Sequence, residues 1–250
     1  MNKLRCALVI PDCHRPFHSR RAYALMLEVA AFVNPDEIVL QGDYADFYSV
    51  SRHLKDPRVA TLLQQEIDSV NQGLDELDKY FPTAKKVYIE GNHEARLEKY
   101  LVEKAPGVFG VTECRELFGV TRRPLWSYHE FGRAQSYRIL NSDLYVRHRP
   151  LSNNPIGGLR KALVSYCYVD IHKIEEAQIV GLDGKTRIAF CPGWLGDVRH
   201  RVFDYMPSTP QWQWGFALVT VEGTQKTFHH DIIQIKDNHT CVFRGKVFKA

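Results

Sequence analysis

No two of the six cysteines stand at CxxC spacing; Cys6, Cys13, Cys114, Cys167, Cys191 and Cys241 are scattered singly. That scatter excludes a small disulfide framework and a thiolate zinc site, and makes a reducing, cytoplasmic setting the default. Long apolar runs are also missing. Nothing approaches the ~20 consecutive apolar residues of a membrane span, so no membrane partner is expected. The start, MNKLRCALVIPDCH, is basic, but its apolar run stops after about five residues at Pro11 and Asp12, short of the ~7–15 of a signal peptide. A strong excess of either charge is absent: 33 Lys and Arg against 29 Asp and Glu give +4 and a pI near 8.7. Such a balance permits an anionic substrate and is too mild to argue for nucleic acid on its own. Repeats, low-complexity tracts and linkers are lacking too, so the 250 residues read as one domain, 1–250.

What is present is an alternation. CALVI (6–10), EIVLQ (37–41) and KVYIE (86–90) are short β-rich runs of continuous apolar character, as expected of strands covered on both faces. Between them, 19–32 reads as a helix capped by Ser19, and 56–81 as a long helix opened by Asp56 and Pro57. Strand, helix, strand, helix, strand predicts an α/β sheet with right-handed crossovers. From Asn92 to about Arg133 the chain reads as helix, Gly-rich break and short helix, a cap over one end of the sheet. The second half is strand-rich, with hairpin signals at LDGK and VEGT and one helical stretch, NPIGGLRKALVSY.

In an open α/β sheet, function gathers beyond the carboxyl ends of the strands. CALVIP runs into Asp12-Cys13-His14, EIVLQ into Gly42-Asp43 with Asp46 beyond, and KVYIE into Gly91-Asn92-His93-Glu94. LYVR ends at His148, and SYCYV at Asp170-Ile171-His172. Any one of these is also an ordinary turn or cap. Together they place carboxylates, an amide and imidazoles, without a thiolate, at five strand ends, which suits manganese, iron, zinc or magnesium. Asp12/His14 and Asp170/His172 stand two apart, so on extended strand ends both side chains of each pair face one way. His18, His53, His129, His200, His229, His230 and His239 follow no such pattern and read as packing residues; His53 and His200 are the hardest of these to set aside. Cys13 reads as packing too.

In order and spacing, DCH, GDYAD, GNHE, RH and DIH resemble the motif series of the calcineurin-like metallophosphoesterase superfamily: D-x-H, GDxxD, GNH[ED], H and GHxH. DFYSVSRH (46–53), GNHEARL and WQWGFALVTVEG are similar to phage and bacterial members. The resemblance implies a four-layer α/β/β/α sandwich with mixed sheets and a small helical insertion at about 95–133. It also implies two divalent ions, manganese foremost, which activate a bridging water for in-line attack on phosphorus. Asp12, His14 and His172 would hold one ion, Asn92, His148 and Asp170 the other, and Asp43 both. His93 would face the substrate as a catalytic residue, held by Asp46.

Two departures stand out. GHxH is Val169-Asp170-Ile171-His172 here, and the HG of the preceding motif is His148-Arg149. Asp170 is a harder, anionic ligand that favours manganese or magnesium; it equally allows a one-metal or degenerate site. Phosphoprotein phosphatases of the superfamily usually follow GDxxD with Arg-Gly, whereas Asp46 is followed by Phe47-Tyr48, which leaves phosphodiesters, nucleotides or nucleic acid as the expected substrates. Arg149 and Lys173 are candidate phosphate clamps, and Tyr205, Trp212 and Trp214 candidate base-stacking residues. A non-catalytic binding protein on this fold and a nucleic-acid-processing factor are the other readings.

Overall fold

The computed structural model describes residues 3–59, 61–204, 206 and 211–250. Tyr205 lies outside the described residues. The predicted opening alternation is present: β1 (Leu4–Ile10), α1 (Arg20–Val33), β2 (Glu37–Leu40), α2 (Leu63–Tyr80) and β3 (Lys85–Ile89). Next come α3 (Ala95–Lys104), α4 (Cys114–Leu117), β4 (Trp126–His129), β5 (Tyr137–Arg138), β6 (Leu144–Val146), α5 (Pro155–Ala162) and β7 (Ser165–Cys167). The chain ends in β8 (Ile174–Val180), β9 (Thr186–Pro192), β10 (Gly215–Glu222), β11 (Phe228–Gln234), β12 (Thr240–Phe243) and β13 (Lys246–Lys249).

Two mixed sheets result. One runs β11-β10-β1-β2-β3-β4, the other β5-β6-β7-β9-β8, and β12-β13 forms a separate hairpin. β1 to β4 pair in parallel, while β10 and β11 are antiparallel additions. Alternation along each strand divides the core. Ala7, Val9, Val39, Val87 and Ile89 meet Leu144, Val146, Cys167 and Phe190 between the sheets. Leu8, Ile10, Ile38, Leu40 and Tyr88 face the other way, into a core shared with α1 and α2. On the outer side of the second sheet, Leu159 of α5 packs with Tyr166, Tyr168, Ala189 and Cys191. These are the α/β/β/α layers, and continuous apolar runs are what doubly covered strands require.

Three local expectations are revised. The helix read over 56–81 begins only at Leu63, because Asp56 turns its carboxylate onto Arg58, accepting from its backbone N and guanidinium at 2.7–3.1 Å, and closes a short 3-10 turn over Pro57–Val59. The short helix read at the end of the 92–133 segment is a single turn, α4, and the segment then supplies β4, which pairs with β3 and completes the sheet edge. β8, which leads into the LDGK hairpin signal, does not itself read as a strand, because Glu175 and Glu176 interrupt the apolar character of IEEAQIV. Ser19 does cap α1, accepting from Ala22 N at 3.3 Å.

Inside α2, Gly73 marks a close approach. A Cβ there would lie 2.3 Å from the Tyr44 hydroxyl and 2.6 Å from Arg15 Cζ. The almost wholly buried Arg15 donates to Ser69 O and Glu76 and lies over the rings of Tyr23 and Tyr44. Gly73→Ala gains up to about 1 kcal/mol of helix propensity, yet overpacking at such a contact costs about 1–3 kcal/mol. Net destabilisation in urea unfolding is expected; a more stable variant would show that Arg15 gives way freely.

Candidate metal centre

The loops that leave β1 and β2 are tied to each other by backbone hydrogen bonds, and the Glu94 side chain ties in the loop after β3. The N–H groups of Cys13 and His14 both donate to Asp43 O, at 3.1 and 2.8 Å. Glu94 is fully buried and takes four donors: Ala45 N at 2.8 Å and the Tyr88 hydroxyl at 2.9 Å on Oε1, Asp43 N at 3.0 Å and Gly91 N at 2.7 Å on Oε2. Burial and the neighbouring Asp43 charge push its pKa up to about 7. Gly91 has no positive φ. Its need for glycine comes from proximity, since a Cβ would sit 2.0 Å from Asp43 Oδ1.

His14 (φ 54°), Asp43 (φ 47°), Asp170 (φ 75°) and His172 (φ 58°) occupy the left-handed region. Asp12/His14 and Asp170/His172 therefore do not converge as extended strand ends; β7 already stops at Cys167, and tight left-handed turns bring these side chains in. Such strain costs about 1–3 kcal/mol per residue and persists where surroundings enforce it.

The expected residues meet. Asp12, His14 and His172 present ligand atoms within 4.8 Å of one another, as do Asp12, Asp43 and His148, and His14, Asp43 and His93. Asp43 belongs to two of these groups and Asp12 to two. Asn92 Oδ1 lies 3.0 Å from His148 Nε2, with Asp43 Oδ1 at 3.5 Å and Asp170 Oδ1 at 3.6 Å from the same nitrogen. His172 Nε2 is 3.2 Å from both Asp12 Oδ2 and His14 Nε2.

These residues fit a cation. His14 Nδ1 is 2.9 Å from Asp46 Oδ2, and His148 Nδ1 is 3.1 Å from Gln41 O, so each ring donates its outer N–H to a fixed acceptor and turns Nε2 inward. Outer-shell bonds of this kind set the tautomer of a metal-ligating imidazole. Inward nitrogens then face one another and the Asn92 oxygen, an acceptor-rich arrangement that a cation completes. Asp12 Oδ1, fully buried, has no hydrogen-bond partner among the described residues. Burial lowers the His148 pKa, but Asp43, Asp170 and Asp12 more than offset it and push it up to about 10. Burial and the neighbouring His93 hold His14 below the usual histidine range.

His93 stands apart through its hydrogen bonds. Its Nδ1 donates to Asp46 O at 2.9 Å, and Nε2 lies 2.7 Å from Arg96 Nη2. Asp46 therefore steadies two rings, His93 by its carbonyl and His14 by its carboxylate. Arg96, which also donates to Asp46 O at 2.9 Å, was not picked out from the sequence. Its place three residues after His93, at the start of a helix, is the signal that could have found it. Trp194 was also missed although it follows β9; its ring stacks on His172 at 4.8 Å, with Trp212 edge-on at 4.7 Å. Trp212 thus packs on a candidate ligand, while Trp214 is buried, donates to Gly196 O and stacks on His239.

Among the candidate clamps, Arg149 reaches Asn92 Oδ1 (3.4 Å) and Asp170 Oδ2 (3.6 Å). Lys173 is exposed and has no ion pair among the described residues. His200 packs on Phe17 at 4.7 Å and accepts from Val202 N, and His53 is exposed at the mouth of a cleft beside His93. Cys13 is buried, its thiol turned to Pro11 O at 3.4 Å. His18, read as an ordinary packing residue, leaves its Nδ1 without a partner.

The sequence model of the calcineurin-like phosphoesterases matches residues 7–214, which contain every candidate donor. The chain belongs to that family. Among solved structures, Vacuolar Protein Sorting 29 from Cryptosporidium parvum is similar in fold, at 12% identity and a TM-score of 0.50 over 98% of this chain and 94% of that one. Weaker likenesses are Vps29 from Chaetomium thermophilum (13% identity, TM-score 0.46, 95% and 90% covered) and YfcE, a phosphoesterase from E. coli (14%, 0.41, 91% and 98%). No curated protein sequence matches the chain. As a calcineurin-like phosphoesterase it has Asp12, His14, Asp43, Asn92, His148 and His172 gathered just beyond β1, β2, β3, β6 and β7, with Asp170 beside His148.

Proposed function

We propose that this calcineurin-like phosphoesterase is a metal-dependent hydrolase of phosphodiesters. The observation that carries the reading is the set of overlapping donor groups joined at Asp12 and Asp43, with the outer nitrogens of His14 and His148 already engaged. Asp12, His14 and His172 would hold one divalent ion, and Asn92, His148 and Asp170 a second, with Asp43 common to both. Cations held there supply Lewis acidity toward phosphate oxygens and acidify water toward neutrality. Carboxylates and an amide beside imidazoles favour manganese. Six cysteines without a disulfide suit a cytoplasmic setting.

The chain's own groups do the rest. Asp46 fixes the orientation of His14 and of His93, and His93, with Nδ1–H committed to a carbonyl, has Nε2 and the Arg96 guanidinium as its outward face. As placed, Nε2 accepts from the Arg96 guanidinium at 2.7 Å, so it can carry a proton for a leaving oxygen once Arg96 turns onto the substrate phosphate and frees that nitrogen. A cleft of about 780 Å³ adjoins this face, lined by Tyr48, Leu54, Pro57 and Phe203 with Arg58 and Arg201. Asp46, Asp56 and Asp204 line it too, and Asp56 pairs with Arg58, so its charge is largely balanced; the apolar wall beside His93 suits an organic leaving group and supports a diester over a monoester.

The decisive experiment is hydrolysis of generic aryl mono- and diesters with added manganese. Turnover that favours the diester and stops in chelator is expected; a chain that binds manganese and hydrolyses neither ester refutes the reading. Asp170 gives substance to that second case, because its pairing with Arg149 draws one oxygen away from His148. The protein would then be a binding protein on a retained fold. His93→Ala should cut turnover about 100- to 10,000-fold, the usual range for general acid–base work, with metal content unchanged. Loss of metal would make His93 a ligand, a role its distance to Asp43 and His14 allows.

A further inference from the structure

A second cleft, of about 740 Å³, leads away from Asn92 along α3. Six cations line it, namely Arg52, Lys55, Arg96, Lys99, Lys104 and Arg149, against a single carboxylate, Glu103, in a chain whose net charge is only +4. Glu103 is itself paired with Arg52 at 2.8 Å and Lys104 at 3.4 Å. The charge is therefore concentrated, not spread. Its layout follows from the helix: Arg96, Lys99, Tyr100, Glu103 and Lys104 stand at i, i+3, i+4, i+7 and i+8, which is one face. That face starts at the metal end, because α3 begins directly after Glu94. Arg149 lies at the same end, 3.4 Å from Asn92 Oδ1. Eight residues of helix separate Arg96 from Lys104, about 12 Å, which a stacked strand at ~3.4 Å per phosphate spans with about three or four phosphates. Tyr100 is 39% exposed and Leu54 98% exposed among these cations. A backbone-tracking row of cations with an accessible ring beside it is the arrangement that holds single strands without sequence preference.

Resting on the hydrolase reading above, we infer that the exposed face of α3 is a track for a single nucleic-acid strand, which delivers one of its phosphodiesters to the donor cluster. Lys99 and Lys104 bind phosphates about two apart on the strand, Tyr100 stacks a base, and Arg96 and Arg149 receive the phosphate nearest the cations. Nothing in the track requires a base edge to be read, so the strand is held by charge and stacking.

The test is fluorescence anisotropy of the full chain with a labelled oligothymidylate in chelator, so that binding is scored without turnover. Lys99→Glu with Lys104→Glu should weaken binding roughly tenfold or more and flatten the plot of log affinity against log salt by about 1.4, at ~0.7 per lost phosphate contact on a single strand. Tyr100→Ala should weaken it about fivefold or more. Charge reversal at Lys79 and Lys185, exposed residues outside the cleft, is the control and should change neither. Unchanged affinity and slope in the α3 variant overturn the proposal. So does equal competition by inorganic polyphosphate of the same phosphate count together with indifference to Tyr100→Ala, which would make the track a site for polyanions in general. Hydrolysis of the small aryl diester is measured separately: failure there with binding intact removes the hydrolase reading and leaves the track, and the converse removes the track alone.

Discussion

Asp43→Asn should give a folded chain that turns over no phosphodiester. Asp43 shares ligand atoms with Asp12 and His148 on one side and with His14 and His93 on the other, so its charge serves both halves of the centre. Asparagine is nearly isosteric, retains an oxygen to accept from His93 N, now 2.8 Å from Oδ1, and leaves the bonds from Cys13 N and His14 N to the backbone carbonyl untouched. The scaffold thus survives while the shared anion is lost. Disturbing even an outer-shell partner of a metal typically costs 10- to 100-fold in affinity or activity, so losing a shared ligand should exceed about 100-fold. Circular dichroism should match the parent, and bound manganese should fall. An active Asp43→Asn variant would show that the two halves do not work through this carboxylate.

Glu94→Ala is expected to have the larger effect on stability. Four donors from two segments, 43–45 and 88–91, converge on the Glu94 carboxylate, and all of them are buried. Alanine strands those donors where water does not reach, at about 1–3 kcal/mol for each group left unpaired, so a loss of about 4 kcal/mol or more is expected after partial relaxation. Glu94→Gln is the informative companion. It preserves volume but replaces one acceptor oxygen with an NH2 that must point at N–H or O–H donors, so it should recover packing and only part of the stability. Denaturant unfolding with and without manganese measures both. If Glu94→Ala unfolds at the same denaturant concentration as the parent, Glu94 is not what joins the β2 and β3 loops.

Much of this arrangement was legible in the sequence, for identifiable reasons. Continuous apolar runs at 6–10, 37–41 and 86–90 report strands buried on both faces, and the residues that follow report chemistry because strand ends in such sheets converge. What stayed hidden depends on contacts between distant segments. β4 is a strand because β3 offers an edge to WSYH, and the long helix starts late because Arg58 captures Asp56. The agents that position the donors were equally hidden: the Gln41 carbonyl that orients His148, the Asp46 carbonyl shared by His93 and Arg96, and Trp194 stacked on His172. The two carbonyls carry no pattern in one dimension, and Trp194 carries only its place just after β9. Asp12 and His14, and Asp170 and His172, stand two apart in sequence, but left-handed turns and not extended strand ends bring them together.

Those turns restrict what can replace the donors. Asparagine, aspartate and histidine are the non-glycine residues most at ease with positive φ, whereas branched side chains such as valine, isoleucine and threonine are strongly disfavoured there. At positions 14, 43, 170 and 172 the conformation and the coordination chemistry thus select the same short alphabet. A mutation to a branched residue is penalised twice, and an exchange within the alphabet, such as aspartate at 170 where the GHxH motif that this stretch resembles has histidine, is the change that the backbone tolerates most readily.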